Sequence, residues 1–242
     1  MRVLRAAGVS LLSAVLCAAC QGSSHRTSAS QTPPAVKPAY ASLAGGHYAE
    51  ALLQCEPLAQ GPASQAGSAE AVYLKGYVLA FGQLRLKEAR DVLRGMVDEH
   101  AKHPLAPLAQ KALADSFYWQ GDYPHALAEY ARLRVLYGSE GWGAYALYQS
   151  GQCLLLQRKD GDALAVFRDA AEKYPGDPMS DAALLRVAEV YRRLDDGLQA
   201  RDEFQHVLRV SKDPAVRGIA MDELESIEQE AENPKMKGAH SP

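Results

Sequence analysis

Cysteine and histidine are the residues here whose chemistry could reach beyond packing. There are four of the first and seven of the second in 242 residues. His100 and His103 are three apart, a spacing that can serve a metal, but Pro104 breaks the chain beside them and no Cys or carboxylate joins them at ligand spacing. They read as the polar end of a helix. His47 and His125 fall at helix starts, and His206 lies on an outer helix. Acidic pairs such as Asp98-Glu99 and Asp195-Asp196 suit solvated faces and turns. Gly45-Gly46 is not followed by the Gly-Lys-Ser/Thr that cradles phosphate, and no Gly-x-Ser-x-Gly elbow occurs. The reading is of a non-enzymatic protein with no metal and no cofactor.

Cys20 is the exception. Residues 1–20 carry Arg2 and Arg5 ahead of an uncharged stretch from Ala6 to Ala19. That stretch is short of the ~20 apolar residues a membrane-spanning helix needs, so it reads as a signal peptide over residues 1–19. Its end, Ala18-Ala19-Cys20, resembles the lipobox of bacterial lipoproteins. The family usually has Leu three places before the cysteine; here Cys17 stands there, with Leu16 one place earlier. The resemblance implies cleavage before Cys20, lipidation of its sulfur and acylation of its amino group, a multi-chain anchor strong enough for stable membrane attachment. The alternative is an ordinary secreted protein cut after Ala19. Gln21 is not the Asp that retains enterobacterial lipoproteins at the inner membrane, which points to the outer membrane, with the chain facing the periplasm.

Residues 20–38 are rich in Ser, Thr and Pro and poor in large apolar side chains, and are expected to form a flexible tether. Without residues 1–19 the chain has 24 basic against 29 acidic residues. That balance, with no Lys/Arg stripe, argues against a nucleic-acid partner. Cys55 and Cys153 remain, one early and one late, and are expected to be buried and unbridged.

The body of the chain is organised by a repeat. Ala51, Ala89, Ala126, Ala163 and Ala200 are separated by 38, 37, 37 and 37 residues. Four residues after each stand Cys55, Leu93, Tyr130, Phe167 and Phe204. Twelve before the last three stand Ala114, Gly151 and Ala188, small enough to let two helices approach closely. Phe117, Leu154 and Tyr191 follow on the same face. Gly121-Asp122, Asp160-Gly161 and Asp195-Asp196-Gly197 supply turns between paired helices. A fixed period in the thirties marks stacked supersecondary units that bury their faces against neighbours.

These residues resemble the tetratricopeptide repeat. The third unit supplies Ala114, Gly121, Tyr123, Ala126 and Tyr130; the fourth Gly151, Ala163, Phe167 and Pro175; the fifth Ala188, Ala200 and Phe204. The first keeps Gly46, Tyr48 and Ala51 behind a leading helix cramped between Pro38 and Gly45. The second has Gly76, one residue out of phase, and Leu93. The resemblance implies an all-α, right-handed superhelix, an α-solenoid of about five helix-turn-helix repeats, over residues 39–65, 66–103, 104–140, 141–177 and 178–213. A capping helix at 214–232 and a disordered tail at 233–242 complete it.

In that family the first helices of successive repeats line a concave, protein-binding face. The inward positions implied are Tyr73 and Tyr77 in the second repeat and Lys111, Asp115, Tyr118 and Trp119 in the third. Tyr145, Tyr148 and Gln152 follow in the fourth, then Glu189, Arg192 and Arg193 in the fifth. Aromatic rings beside mixed charges suit a protein or extended peptide partner, although several of these rings could instead pack between repeats and Arg192-Arg193 could pair with Glu189. Anchor, repeats and length together resemble the BamD-type lipoproteins of outer-membrane assembly, which implies a scaffold among other envelope proteins. Adaptors of cell division, wall synthesis, secretion or pilus assembly are the alternatives, and an enzyme or wall-modifying domain is a further one. The oligomeric state is left open.

Overall fold

The computed structural model describes residues 32–62 and 64–232. Cys20, most of the expected tether and the tail from residue 233 lie outside the described residues. Among the described residues eleven α-helices follow one another: α1 (Lys37–Ala44), α2 (Tyr48–Ala59), α3 (Ser68–Tyr77), α4 (Leu86–Glu99), α5 (Ala106–Gln120), α6 (Tyr123–Tyr137), α7 (Gly143–Leu156), α8 (Asp160–Lys173), α9 (Pro178–Arg193), α10 (Gly197–Val210) and α11 (Pro214–Glu232). No strand occurs among the described residues. The all-helical expectation holds. Two compact units result, one ending at Ala112 and one beginning at Leu113, with α5 running through the boundary.

Each paired turn is set by one left-handed residue. In the second unit these are Gly121, Arg158 and Asp195, with φ of 83°, 61° and 59°. Each ends its first helix in a Schellman motif. Asp122 N–H donates to the Phe117 carbonyl (3.0 Å), Lys159 to Leu154 (2.9 Å) and Asp196 to Tyr191 (3.0 Å). The bond satisfies a carbonyl that the helix end would otherwise leave open. Asp160-Gly161, expected in a turn, instead opens α8, because Arg158 has already reversed the chain. Asp122, Asp177 and Asp196 then cap α6, α9 and α10, accepting from the amides of His125, Met179 and Gln199.

The first unit uses the same device at Gly46 (φ 76°) and Leu84 (φ 56°). Between them lies the one 38-residue step. Its cause is a π-helical turn over Val78–Gly82, which places one extra residue in the first helix of that repeat. The closing bond accordingly runs from Arg85 N–H to the Leu79 carbonyl, one residue further back than elsewhere. This also explains Gly76. It is out of phase only because the extra residue follows it; a Cβ there would lie 2.6 Å from Leu93, the same partner position that Phe167 holds for Gly151.

Packing follows the small-against-large rule. In the second unit Phe167 is 0% exposed and its ring lies where a Gly151 Cβ would be, 2.4 Å away. Ala163, Ala170, Ala183 and Val187 complete that layer, and Ala188, Ala200, Phe204 and Val207 form the next, closed by Val216 and Ala220 of α11. In the first unit Ala39, Ala51, Cys55, Ala71 and Leu74 pack with Val36. Val36 is 0% exposed, and Pro34–Val36 forms a 3-10 turn leading into α1. The expected tether therefore does not extend to residue 38. One buried Val outweighs the polar composition around it.

Candidate binding face

The sequence places twelve residues on the inner side of first helices, and the structure gives them different surroundings. In the first unit Tyr73 and Tyr77 of α3 are half-buried, with ring centroids 6.1 Å apart, and Phe81 continues the strip 5.0 Å from Tyr77. Lys111 on α5 is also half-buried.

In the second unit Asp115 is buried rather than presented to solvent. Its carboxylate accepts from the Tyr130 hydroxyl at 2.6 Å and the Tyr145 hydroxyl at 3.1 Å, which links α5, α6 and α7. Burial, then the adjacent Asp115 charge, drives the Tyr130 phenol far above its usual range. Tyr118 is half-buried and raised by burial; its ring meets Trp119 edge-on at 5.4 Å and Tyr123 at 6.0 Å. Trp119 itself is 68% exposed.

On α7, Tyr145 stands edge-on to Trp142 and Tyr130, while Tyr148 packs 5.8 Å from Phe167. Tyr145 and Tyr148 therefore pack with one side and offer the other. The Tyr148 hydroxyl accepts from Gln152 Nε2 (3.4 Å) and from Arg186 Nε (3.2 Å). Arg186 also pairs with Glu189 at 2.5 Å. The partner of Glu189 is thus Arg186 on its own helix, not Arg192 or Arg193.

Arg192 is committed elsewhere. It donates to the Glu223 carbonyl (3.3 Å), Ser226 Oγ (2.9 Å) and Glu230 Oε1 (2.6 Å), fastening α11 onto α9. Arg193 bonds Asp160 at the start of α8. The charged positions of α9 therefore form a network, as the pairing alternative expects, but with partners on α8 and α11 for Arg193 and Arg192. Gln149 and Arg186 were not foreseen. Their signal was the period itself, since they occupy one register position 37 residues apart.

Among the described residues no reactive group stands out. Burial pushes the Cys55 thiol up to about 11 and the Cys153 thiol up to about 12, Asp115 adding to the second. Both are buried free thiols, and at neutral pH neither is the thiolate that nucleophilic chemistry needs. Among the described residues no group of three or more His, Cys, Asp or Glu is placed to hold a metal ion. His103 serves a helix end, accepting from Leu105 N–H and lying 3.6 Å from Glu70. No helix among the described residues is long and apolar enough to cross a membrane.

Residues 145–177 match the family model of the tetratricopeptide repeat. That segment contains most of α7, all of α8 and the Gly151–Phe167 contact. Its hairpin geometry recurs in solved structures. MamA from Desulfovibrio magneticus RS-1, residues 41 to the end, is 17% identical with a TM-score of 0.54, over 74% of this chain and 96% of that one. YrrB, described as a TPR protein with an unusual peptide-binding site, is 18% identical with a TM-score of 0.51, over 79% and 92%. The fold is that of tetratricopeptide-repeat proteins. A search of the curated proteins finds no matching relative. Tetratricopeptide hairpins are typically interaction scaffolds, so the inner helices of each unit are the candidate contact surface.

Proposed function

We propose that this chain is a non-enzymatic scaffold of the bacterial cell envelope, anchored by lipid on Cys20 in the outer membrane and facing the periplasm. Its role is to hold other envelope proteins or extended peptide segments, and assembly of outer-membrane proteins is the process its anchor and repeats suit best. The observation that carries the binding part is Trp119. A tryptophan 68% exposed on a first helix, propped edge-on by Tyr118, is an amphipathic anchor of the kind that dominates contact energetics. The anchor rests on Ala18-Ala19-Cys20 in the sequence.

Two experiments test the reading. A photocrosslinking amino acid at position 119, activated in intact cells, is expected to capture an envelope protein that mass spectrometry identifies; Trp119→Ala and Arg193→Glu are expected to weaken capture from a folded protein. Unchanged capture in a pull-down with both substitutions would remove these residues from the interface. Labelled palmitate is expected to enter the wild-type chain and not Cys20→Ser; equal labelling, or none in either, ends the anchor proposal.

A further inference from the structure

α6 buries Ala126, Tyr130, Leu133 and Tyr137 in the second unit. On the side turned away from that core stand Pro124, Ala128, Ala131 and Val135, all exposed, Val135 at 78%. Their steps of four, three and four residues draw one narrow apolar stripe along the helix. Equivalent helices carry charge there. At the registers of Ala131 and Val135, α4 has Arg94 and Asp98, α8 has Arg168 and Glu172, and α10 has Gln205 and Arg209. Those faces are built for water, and the α6 face is not.

The spacing says what shape of partner fits. Steps of four and three form the seam between two packed helices. Ala128 and Ala131 at its centre let a second axis come to the near end of the usual range of about 8–10 Å. The α6 main chain is closed by its own helical bonds, so an extended segment finds no main-chain partner on it. A helix, closed in the same way, needs none.

The flanks say what charge fits. Arg132 lies four residues from Ala128 and Arg134 three from Ala131, on opposite sides of the stripe. α6 holds one acid, Glu129, against these two arginines. A second copy of α6 brings the same cationic surplus, which does not complement the first. Nor does the chain itself supply the cover. Residues 1–19 are the expected signal peptide, and residues 21–31 and 233–242 hold a single large apolar side chain, Met236.

We propose that the outer stripe of α6 docks an amphipathic helix of another protein. The apolar seam of that helix lies on Pro124, Ala128, Ala131 and Val135, and acidic residues on its flanks meet Arg132 and Arg134. The site is on a different helix from Trp119 and does not rest on the partner reading built there. It gives the scaffold a second place to hold a partner.

The test uses the full chain and labelled, acetylated and amidated peptides of about three heptads, with Leu and Ala in the seam. One has Glu on its flanks, the second has Lys, and the third is the Glu form with a central Pro that breaks the helix. Fluorescence anisotropy reads binding. The Glu form is expected to bind about tenfold or more tightly than either of the others. Ala131→Arg with Val135→Glu installs the charges that α8 already carries on its outer face, so the fold is expected to stand while the Glu form binds about tenfold more weakly. Arg134→Glu is expected to narrow the preference for Glu over Lys, and added salt to do the same. Trp119→Ala is expected to change nothing here; an equal loss with that variant would place the peptide on the Trp119 surface and overturn the assignment. Equal binding of the Glu and Lys forms overturns the acidic partner, and equal binding of the Pro form overturns the helical one. A dimer in sedimentation that Ala131→Arg with Val135→Glu abolishes would give the stripe to a second copy instead. Failure of the Glu form to bind at millimolar concentration overturns the inference, while crosslinking at position 119 judges the wider reading separately.

Discussion

The Tyr130 hydroxyl donates a 2.6 Å hydrogen bond to the buried carboxylate of Asp115, joining α6 to α5 inside the second unit. Tyr130 is 0% exposed, so its phenol has no water to replace that bond. Tyr130→Phe leaves the carboxylate with one fewer donor and is expected to cost about 1–3 kcal/mol. Urea denaturation of wild type and variant checks it.

The same residue predicts an alkaline weakness. A tyrosine whose folded-state pKa lies above its unfolded value contributes stability below the unfolded pKa and loses it as pH rises beyond. Tyr130 is raised far above the ordinary range, and burial, with Glu70 adding, lifts Tyr40 to about 12. Stability is therefore expected to fall as pH climbs past about 9, because the unfolded Cys55 and Cys153 thiols ionise first, and to fall further past about 10 as the unfolded phenols follow. Tyr130→Phe should flatten that decline. A stability curve between about pH 8 and 12 reads it directly, and equal slopes would show that Tyr130 is not its source.

Gly151 and Phe167 test the repeat contact. A Cβ at Gly151 would fall 2.4 Å from the Phe167 ring, which is packed and cannot swing away. Gly151→Ala is expected to destabilise by about 1–3 kcal/mol through overpacking. Adding Phe167→Leu should recover part of that loss, giving a non-additive double-mutant cycle. Gly76→Ala should cost less, since it meets the aliphatic side chain of Leu93, which has more rotamer freedom than a ring, with Val92 next at 3.4 Å.

The left-handed turn residues predict opposite signs at equivalent positions. Leu84 holds φ 56° with a side chain 74% exposed that packs on little. Leu84→Gly removes left-handed strain of about 1–2 kcal/mol, partly offset by glycine entropy of about 0.5–1 kcal/mol. A net gain is expected in thermal unfolding. Gly121→Ala, at φ 83° with nothing within 4 Å, should lose stability by about 1 kcal/mol for backbone reasons alone.

Arg192 predicts a local effect. It grips three residues of α11, yet both sides of the grip are partly open to solvent. Arg192→Ala should lower global stability by only about 1 kcal/mol or less. Hydrogen exchange in α11 should rise well before exchange in α9, since the helix keeps Val216 and Ala220 as its buried contacts.

The 37-residue step, the small residues at Ala114, Gly151 and Ala188, and their large partners were legible in the sequence by themselves. They are local and periodic, and close helix packing leaves no other pattern. Fold class and the positions of the helical hairpins follow from them. Exposure could not be read in the same way. Asp115, Trp119 and Arg192 all hold registers the sequence assigns to an inner face, yet one is buried under two tyrosines, one is open to solvent and one is bound to α11. Register sets the direction in which a Cβ points; what meets it there is chosen by side chains on other helices, 15 to 38 residues away for Asp115 and Arg192. Only the tertiary structure decided that Tyr148 gathers Gln152 and Arg186, that Glu189 spends its charge on Arg186, and that Gly76 keeps its place because a π turn absorbs the extra residue.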